Sequence, residues 1–216
     1  MMKKLILLLL IVPFLGFGQQ NYQTEGNTYT KVIQAKELSQ ADIHQKLNEF
    51  IALNFKSANE VIKLNTSSKI ICKGNFILNT VSSLSGKKTS IPLRCGANFV
   101  FSIKDNRYKV DIEAPTSVTN TLNNDDYTNM IPEYGQGRFT TKEEFSTYWV
   151  DYSKEMYKSS GMSEKQINKF INKYLIPEMD TYFSDYTQNL NNWDTTINEL
   201  FERIEKSTAD TNKDDW

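Results

Sequence analysis

Few residues in this sequence have the types and spacing that catalysis or metal binding requires. Neither cysteine lies near the one histidine, His44, in sequence, and no Gly-x-Ser-x-Gly motif is present to place a reactive serine at a strand–helix turn. One histidine and two cysteines that lie 23 residues apart do not offer the closely spaced ligands of a zinc site. We therefore predict no catalytic residue and no metal site, and we expect His44 to be a surface or boundary residue of a helix.

The polar stretch 115–139 contains acidic and glycine residues, but their spacing does not predict a ligand site. Asp125, Asp126 and Glu133 lack the spaced Asp/Asn and Gly pattern of a calcium loop. Gly135 and Gly137 lack the strand-to-helix context of a phosphate-binding loop, so they predict a turn. No cofactor is predicted.

The first 18 residues have the three parts of a signal peptide. Lys3 and Lys4 precede an uncharged run of 13 residues, and Gly16 and Gly18 place small residues at positions −3 and −1 of a cleavage site. The run is shorter than the roughly 20 residues that a membrane span needs. We expect cleavage near Gly18, a periplasmic or secreted mature protein, and no permanent membrane span.

The charge balance does not favour a polyanionic partner. Loss of Lys3 and Lys4 with the signal leaves 23 basic residues against 26 acidic residues, a net charge of −3. The basic pair Lys87 and Lys88 is expected at a solvated hairpin tip. We predict no nucleic-acid partner.

Hydrophobic periodicity predicts a mixed α+β part that begins near residue 28. Residues 29–35 favour a strand, and a helix follows with Ser39 as its N-cap and Asp42 in a capping box. Four further strands are predicted at residues 61–64, 69–78, 90–104 and 107–113. Residues 90–104 alternate apolar and polar side chains, which is typical of an antiparallel sheet with one covered face.

A second part of the mature chain is predicted to be helical. Capping boxes at Thr141 and Ser163 start two helices, Gly161 ends the first of them, and Pro177 restarts or kinks the second. The predicted division is therefore an N-terminal segment, an α+β domain, a linker, a helical region and a disordered tail, at residues 19–27, 28–114, 115–139, 140–206 and 207–216.

The α+β part resembles a known family. The strand and helix order β-α-β-β-β-β is accompanied by YTKVIQA at 29–35, NEFIALNFKSANEVIKLN at 48–65 and SKIICKGNFIL at 68–78. These segments resemble exported bacteroidete proteins that contain domain of unknown function 4468, over about residues 28–113, although the family pattern has Gly where this chain has Cys72. The resemblance implies an α+β fold like that of the TATA-binding protein, and it implies no activity.

Cys72 and Cys95 are candidates for a disulfide bond. If the strands at 69–78 and 90–104 form a hairpin that turns symmetrically about Ser83 and Leu84, the two cysteines lie opposite each other, roughly 4.5 to 5.5 Å apart at Cα. An oxidising compartment favours the bond. The alternative is two buried free thiols, because cysteine often fills cores.

The C-terminal helices carry an apolar stripe between Met179 and Ile204 that is on the order of 40 Å long. We expect the helix at residues 145–156 to cover most of it. A partner protein of the envelope or a second copy of the chain would contact the remainder, with aromatic residues as the candidate contacts: Tyr182, Phe183, Tyr186 and Trp193. A wholly internal helical bundle is the alternative.

These observations favour an exported protein that acts by binding. The leading hypothesis is a non-catalytic interaction or ligand-binding module, because no catalytic constellation accompanies the export signal. The alternative is a periplasmic hydrolase with a scattered acidic site, which a single sequence does not reveal.

Overall fold

The structure is a computed structural model that describes residues 22–55, 58–83, 87–126 and 139–209. The strands are β1 (Gln23–Glu25), β2 (Thr28–Gln34), β3 (Ile62–Thr66), β4 (Lys69–Ser82), β5 (Thr89–Lys104) and β6 (Arg107–Asn120). The helices are α1 (Gln40–Asn54), α2 (Ala58–Val61), α3 (Lys142–Ser159), α4 (Glu164–Phe170) and α5 (Met179–Thr208). A π-helical turn (Ile171–Leu175) and a 3-10 turn (Ile176–Glu178) connect α4 to α5.

The six strands form one antiparallel sheet in the order β1-β2-β6-β5-β4-β3. The predicted α+β class and the order β-α-β-β-β-β are confirmed, and β1 is an additional short strand in the segment 19–27. Strand β6 continues to Asn120, six residues beyond the predicted domain end at Ala114. Residues 127–138 of the predicted linker lie outside the described part of the chain, as do the predicted signal peptide and residues 210–216.

One face of the sheet forms the main core. Side chains at alternate positions of β2, β4, β5 and β6 are buried there, as period-two patterning requires, and they include Tyr29, Phe99 and Val110. Helix α1 and the second half of α5 cover this face, and the apolar side chains of both helices join the same core cluster. No described element covers the other face, which exposes Val32 and Ile77.

The predicted helix starts are confirmed. The Ser39 hydroxyl accepts a hydrogen bond from Asp42 N at 3.2 Å, and the Asp42 carboxylate accepts one from Ser39 N at 3.1 Å. Thr141 and Glu144 form the same reciprocal box at α3, and Ser163 N donates to Gln166 at the start of α4. Gly161 ends α3 with φ +84°, a conformation that glycine adopts without strain.

The predicted disulfide between Cys72 and Cys95 is wrong. In the observed register Cys72 lies opposite Phe99, and Cys95 lies opposite Phe76. The cysteines are thus offset by four residues along the strands, about 13 Å at ~3.3 Å per residue, well beyond the Cα separation that a disulfide spans. Both are buried free thiols, and burial raises the pKa of each to about 12.

Helix α5 leaves the helical region and crosses onto the sheet. Its residues Trp193, Ile197 and Phe201 are buried in the core cluster that the sheet and α1 form. The expectation that the helix at 145–156 covers most of the α5 stripe is therefore wrong, because the sheet covers the longer part. None of the described helices is both long and apolar enough to cross a membrane.

Candidate functional site

Three polar side chains of α5 bind the edge of β4 and hold the helical region on the sheet. Asn189 accepts a hydrogen bond from Val81 N at 2.7 Å through Oδ1 and donates one to Val81 O at 3.0 Å through Nδ2. Asn192 donates to Asn79 O at 2.8 Å. An amide side chain thus takes the place of a neighbouring strand, and this part of the edge is closed to other chains.

The third polar side chain is Asp185, one helical turn before Asn189. We call Asp185, Asn189 and Asn192, with the β4 backbone groups that they bind, the polar seam. The Asp185 carboxylate accepts hydrogen bonds from Ser83 N at 2.6 Å and from the Ser83 hydroxyl at 3.0 Å. Lys88 Nζ lies 3.9 Å from the same carboxylate and donates to Gln188, so Lys88 belongs to this seam rather than to a purely solvated loop tip. Asp185 is only 7% exposed, and the charge is compensated by these contacts.

A cavity of about 380 Å³, which we call the aromatic cleft, opens beside the polar seam. Its walls come from α3, the π-helical turn and the first half of α5, and its floor comes from the end of β4. The lining residues are Val81, Ser82, Phe145, Trp149, Ser153, Leu175, Tyr182, Asp185, Tyr186 and Asn189.

The walls of the cleft are held by packing between aromatic rings. Phe145 is buried, and its ring centroid lies 5.5 Å from that of Phe183 and 5.1 Å from that of Tyr186. The Tyr186 hydroxyl accepts a hydrogen bond from Phe139 N at 3.0 Å. Trp149 remains 36% exposed at the rim, so a large aromatic surface is available to a ligand.

Tyr182 supplies a neutral hydroxyl group at the cleft wall. Partial burial and the nearby charge of Glu178 raise the pKa of Tyr182 above its ordinary value of 10.0. The phenol therefore keeps its proton at physiological pH and is able to donate as well as accept a hydrogen bond. The rings give the cleft apolar walls, and Tyr182 adds a polar group to those of the floor and of Ser153, a combination that is common in small-molecule pockets.

The structure brings three of the four predicted contact residues together and separates the fourth. Tyr182, Phe183 and Tyr186 are half-buried on the first half of α5, where they contact or line the aromatic cleft. Trp193 is 0% exposed and donates a hydrogen bond from Nε1 to the Tyr29 hydroxyl at 2.7 Å. Its burial under the sheet removes Trp193 from any surface that a partner contacts.

His44 and the acidic residues of the polar stretch form no catalytic or metal-binding group in the described part of the chain. His44 Nε2 lies 2.6 Å from Asn65 Oδ1, a contact between α1 and β3. Asp125 pairs with Asn123 in a local turn. Within the described ranges, no three His, Cys, Asp or Glu side chains are placed to hold a metal ion. Glu133, Gly135 and Gly137 lie outside those ranges.

The sequence patterns predicted neither the seam nor the aromatic cleft, although three of the four candidate contact residues line or contact the cleft. Asp185, Asn189 and Asn192 recur at spacings of four and three residues, so they share a helix face with the apolar stripe. Buried polar residues at helical spacing inside an apolar stripe are the available signal for such a seam. Trp149 lies within the helix predicted at residues 145–156, but nothing in the pattern shows that it borders a cavity.

Comparison with known proteins identifies the sheet domain. The family model described as "Domain of unknown function (DUF4468) with TBP-like fold" matches residues 29–117. No curated protein matches the chain.

Two solved crystal structures are similar to the chain. One is a DUF4468 family protein from Bacteroides ovatus, 13% identical, with a TM-score of 0.41 over 80% of this chain and 91% of that one. The other is a TBP-like protein from Parabacteroides distasonis, 13% identical, with a TM-score of 0.42 over 84% of this chain and 91% of that one. The match of residues 29–117 to the DUF4468 family model and the six-stranded antiparallel sheet agree with the resemblance found in the sequence.

Proposed function

We propose that this protein is an exported, non-catalytic binding module whose ligand site is the aromatic cleft. The observation that carries the proposal is the cleft itself, about 380 Å³ in volume, with aromatic walls and an exposed Trp149 at its rim. Ligand pockets typically combine such apolar walls with a few polar groups that orient the ligand. Tyr182 is the group that supplies this orientation.

The polar floor of the cleft favours binding over catalysis. Asp185 is the one carboxylate among the described lining residues, and both of its oxygens already accept hydrogen bonds from Ser83. A catalytic carboxylate must be free to exchange a proton or attack a substrate. Use of Asp185 in this way would break the contact that holds α5 on β4, so the periplasmic hydrolase is the less supported function.

The chemistry of the cleft favours an aromatic or branched apolar group that carries a hydroxyl. A flat ring has room to stack on Trp149, and its polar group has a hydrogen-bond partner in the Tyr182 phenol. The ligand is either a small molecule or a side chain that projects from a partner protein of the envelope. Both kinds of ligand would make the same ring stacking and hydrogen bond in the cleft.

Indole and p-cresol are suitable probes, and saturation-transfer NMR measures their binding to the full mature chain. We expect both to bind, with the Trp149→Ala variant weakening binding by about tenfold because a stacking surface is lost. Tyr174→Ala is the matched control, since Tyr174 is 52% exposed and does not line the cleft. Equal binding by the wild type and the Trp149→Ala variant would remove the cleft from consideration.

The hydrolase alternative is tested on the same protein. Chromogenic ester, phosphate and glycoside substrates should show no turnover above background. Turnover that disappears in Asp185→Asn while indole binding persists would establish an acidic catalytic site in place of a binding module. Export is checked by the intact mass of the periplasmic or secreted protein, which should lack the first 18 residues; a full-length mass would contradict it.

A further inference from the structure

The edge of β4 is closed at both ends and has no described partner in the middle. Strand β3 pairs with β4 from Lys69 to Cys72. At the other end, the α5 side chains bond the backbone of Asn79, Val81 and Ser83. No described strand or helix side chain pairs with residues 73–78 on this side.

The direction of the backbone groups in this gap follows from the contacts that α5 makes. In an antiparallel sheet, alternate residues direct their N–H and C=O groups to the same side of the strand. Asn79, Val81 and Ser83 direct theirs away from β5, toward α5, so Asn75 and Ile77 do the same. In the described ranges, no hydrogen bond reaches the outward groups of Asn75 or Ile77.

A groove of about 640 Å³ runs along this open edge. Its inner wall is the ring of Phe55, which lies against Gly74 so closely that a Cβ there would be 2.2 Å from Phe55 Cε1. Phe55 is anchored on the core by Phe99, with ring centroids 5.3 Å apart. Val61 and Ile77 add apolar surface, so the groove offers side-chain contacts beside free backbone groups.

The charged residues of the groove are both basic. Lys73 and Arg94 line it and are exposed, and Arg94 lies directly across the sheet from Ile77. In the part of the chain that the structure describes, neither forms an ion pair, and no Asp or Glu lines the groove. The groove is therefore complementary to an extended segment that carries negative charge.

We propose that the open edge of β4 binds an extended, acidic peptide segment of a partner protein as an added strand. The outward groups of Asn75 and Ile77 pair with the backbone of that segment, while Lys73 and Arg94 pair with its carboxylates. Strand addition of this kind gives affinity through backbone hydrogen bonds and specificity through alternate side chains. The groove is distinct from the aromatic cleft, and the proposal does not depend on the cleft.

Amide hydrogen exchange tests the state of the edge in the free mature protein. The amides of Asn75 and Ile77 should exchange more than about 100-fold faster than that of Val81, which Asn189 holds. Equal protection of all three amides would show that the edge is already covered and would overturn the proposal. If protection of Asn75 and Ile77 rises with protein concentration and sedimentation shows a dimer, the occupant is a second copy instead, which also overturns it.

Peptide binding tests the occupant. The probe is a blocked seven-residue peptide in which glutamate alternates with valine and threonine, and its binding is monitored by the amide chemical shifts of the protein. The amide shifts of Asn75 and Ile77 should change on binding, and the bound peptide should protect both amides from exchange. A peptide with lysine in place of glutamate should bind at least about tenfold more weakly, and the Lys73→Glu, Arg94→Glu double variant should reverse this preference. Equal binding of both peptides to the wild type would contradict the acidic occupant.

A matched pair of variants isolates the backbone contribution. Ile77→Pro removes an outward N–H without removing a bond to β5, and should weaken the glutamate peptide by about tenfold. Ile77→Thr keeps the N–H and should bind within about threefold of the wild type. A glutamate peptide with N-methyl groups on alternate amides repeats the test without any change in the protein. Undiminished binding of the N-methylated peptide would overturn strand addition.

Discussion

The two halves of helix α5 carry similar apolar stripes but bury them in different surroundings. In the second half, Trp193, Ile197 and Phe201 lie between the sheet and α1 in the main core. In the first half, Phe183 and Tyr186 remain half-buried and pack on the α3 aromatics, outside that core cluster. The same periodic pattern thus builds a closed core at one end and a cleft with an exposed aromatic rim at the other.

The polar seam marks the point where these surroundings change. Asp185 and Asn189 are buried, at 7% and 8% exposure, and both bond the backbone at the end of β4. A buried polar group costs free energy unless it is hydrogen-bonded, so these contacts specify where α5 meets the sheet edge. The seam therefore sets the position of the first half of α5, and with it the shape of the aromatic cleft.

Trp193→Ala should have the largest effect on stability. The indole is fully buried, and its Nε1 donates to the Tyr29 hydroxyl at 2.7 Å. Loss of its packing should lower the free energy of unfolding by about 3–5 kcal/mol, measured by urea denaturation. Trp149→Ala, at the rim of the cleft, should cost about 1 kcal/mol or less. Similar losses in the two variants would mean that the surroundings of the two halves of α5 contribute equally to stability.

Asp185→Ala should have the next largest effect. The substitution leaves Ser83 N and the Ser83 hydroxyl without their acceptor, and an unsatisfied buried donor costs about 1–3 kcal/mol. Asp180→Ala is the control, since Asp180 is exposed on the same helix and pairs with Lys142 at the surface. Its effect should be clearly smaller. If Asp185→Ala leaves urea stability and indole binding unchanged, the seam does not position the cleft.

Thr141→Ala should lower the local stability of α3, which forms one wall of the aromatic cleft, without affecting the second half of α5. Loss of the hydroxyl that accepts from Glu144 N should cost α3 about 1 kcal/mol, measured as faster exchange of the α3 amides. The second half of α5 should keep its protection. Faster exchange throughout α5 would show that the two halves unfold as one unit.

The capping box of Thr141 and Glu144 also predicts that the stability of α3 depends on pH. Hydrogen bonds from Thr140 and Thr141 lower the pKa of Glu144 in the folded protein below its ordinary value of 4.5. The cap therefore contributes its full stability above that value, and the contribution is lost as pH falls through the folded-state pKa. Glu144→Gln should reduce the acid sensitivity of α3 exchange, whereas Glu143→Gln should not.

Local sequence patterns predicted much of this architecture, because they act over a few residues. The capping boxes at Ser39, Thr141 and Ser163 and the alternation along β5 are local, and each is observed. Contacts between distant segments were harder to predict. The stripe on α5 required a buried face, but it did not specify whether α3 or the sheet covers it.

The register of β4 on β5 shows the same limit. Side chains alternate with a period of two, so a slip by an even number of residues keeps every apolar side chain on the covered face. The predicted and observed registers both bury Cys72 and Cys95, and they differ only in which residue lies opposite each cysteine. Alternation alone was therefore unable to distinguish a disulfide from two separate thiols.

Thiol labelling should show the smallest effect, because no reaction is expected in the native protein. Burial raises the pKa of both thiols to about 12, so at pH 8 only about one molecule in ten thousand carries a given thiolate. Labelling with Ellman's reagent should therefore detect no fast-reacting thiol in the folded chain, and two after unfolding without reductant.

The rate of thiol labelling in Trp193→Ala and Trp149→Ala compares the surroundings of the two halves of α5. Cys95 lies opposite Phe76, whose ring packs on Trp193 at 5.6 Å between centroids, so Trp193→Ala should expose Cys95 and speed its labelling. Trp149→Ala opens only the aromatic end and should leave labelling as slow as in the wild type. Fast labelling in Trp149→Ala would mean that the cleft and the core open together. Absence of free thiols after unfolding would instead mean that the cysteines are oxidised, in conflict with the observed register.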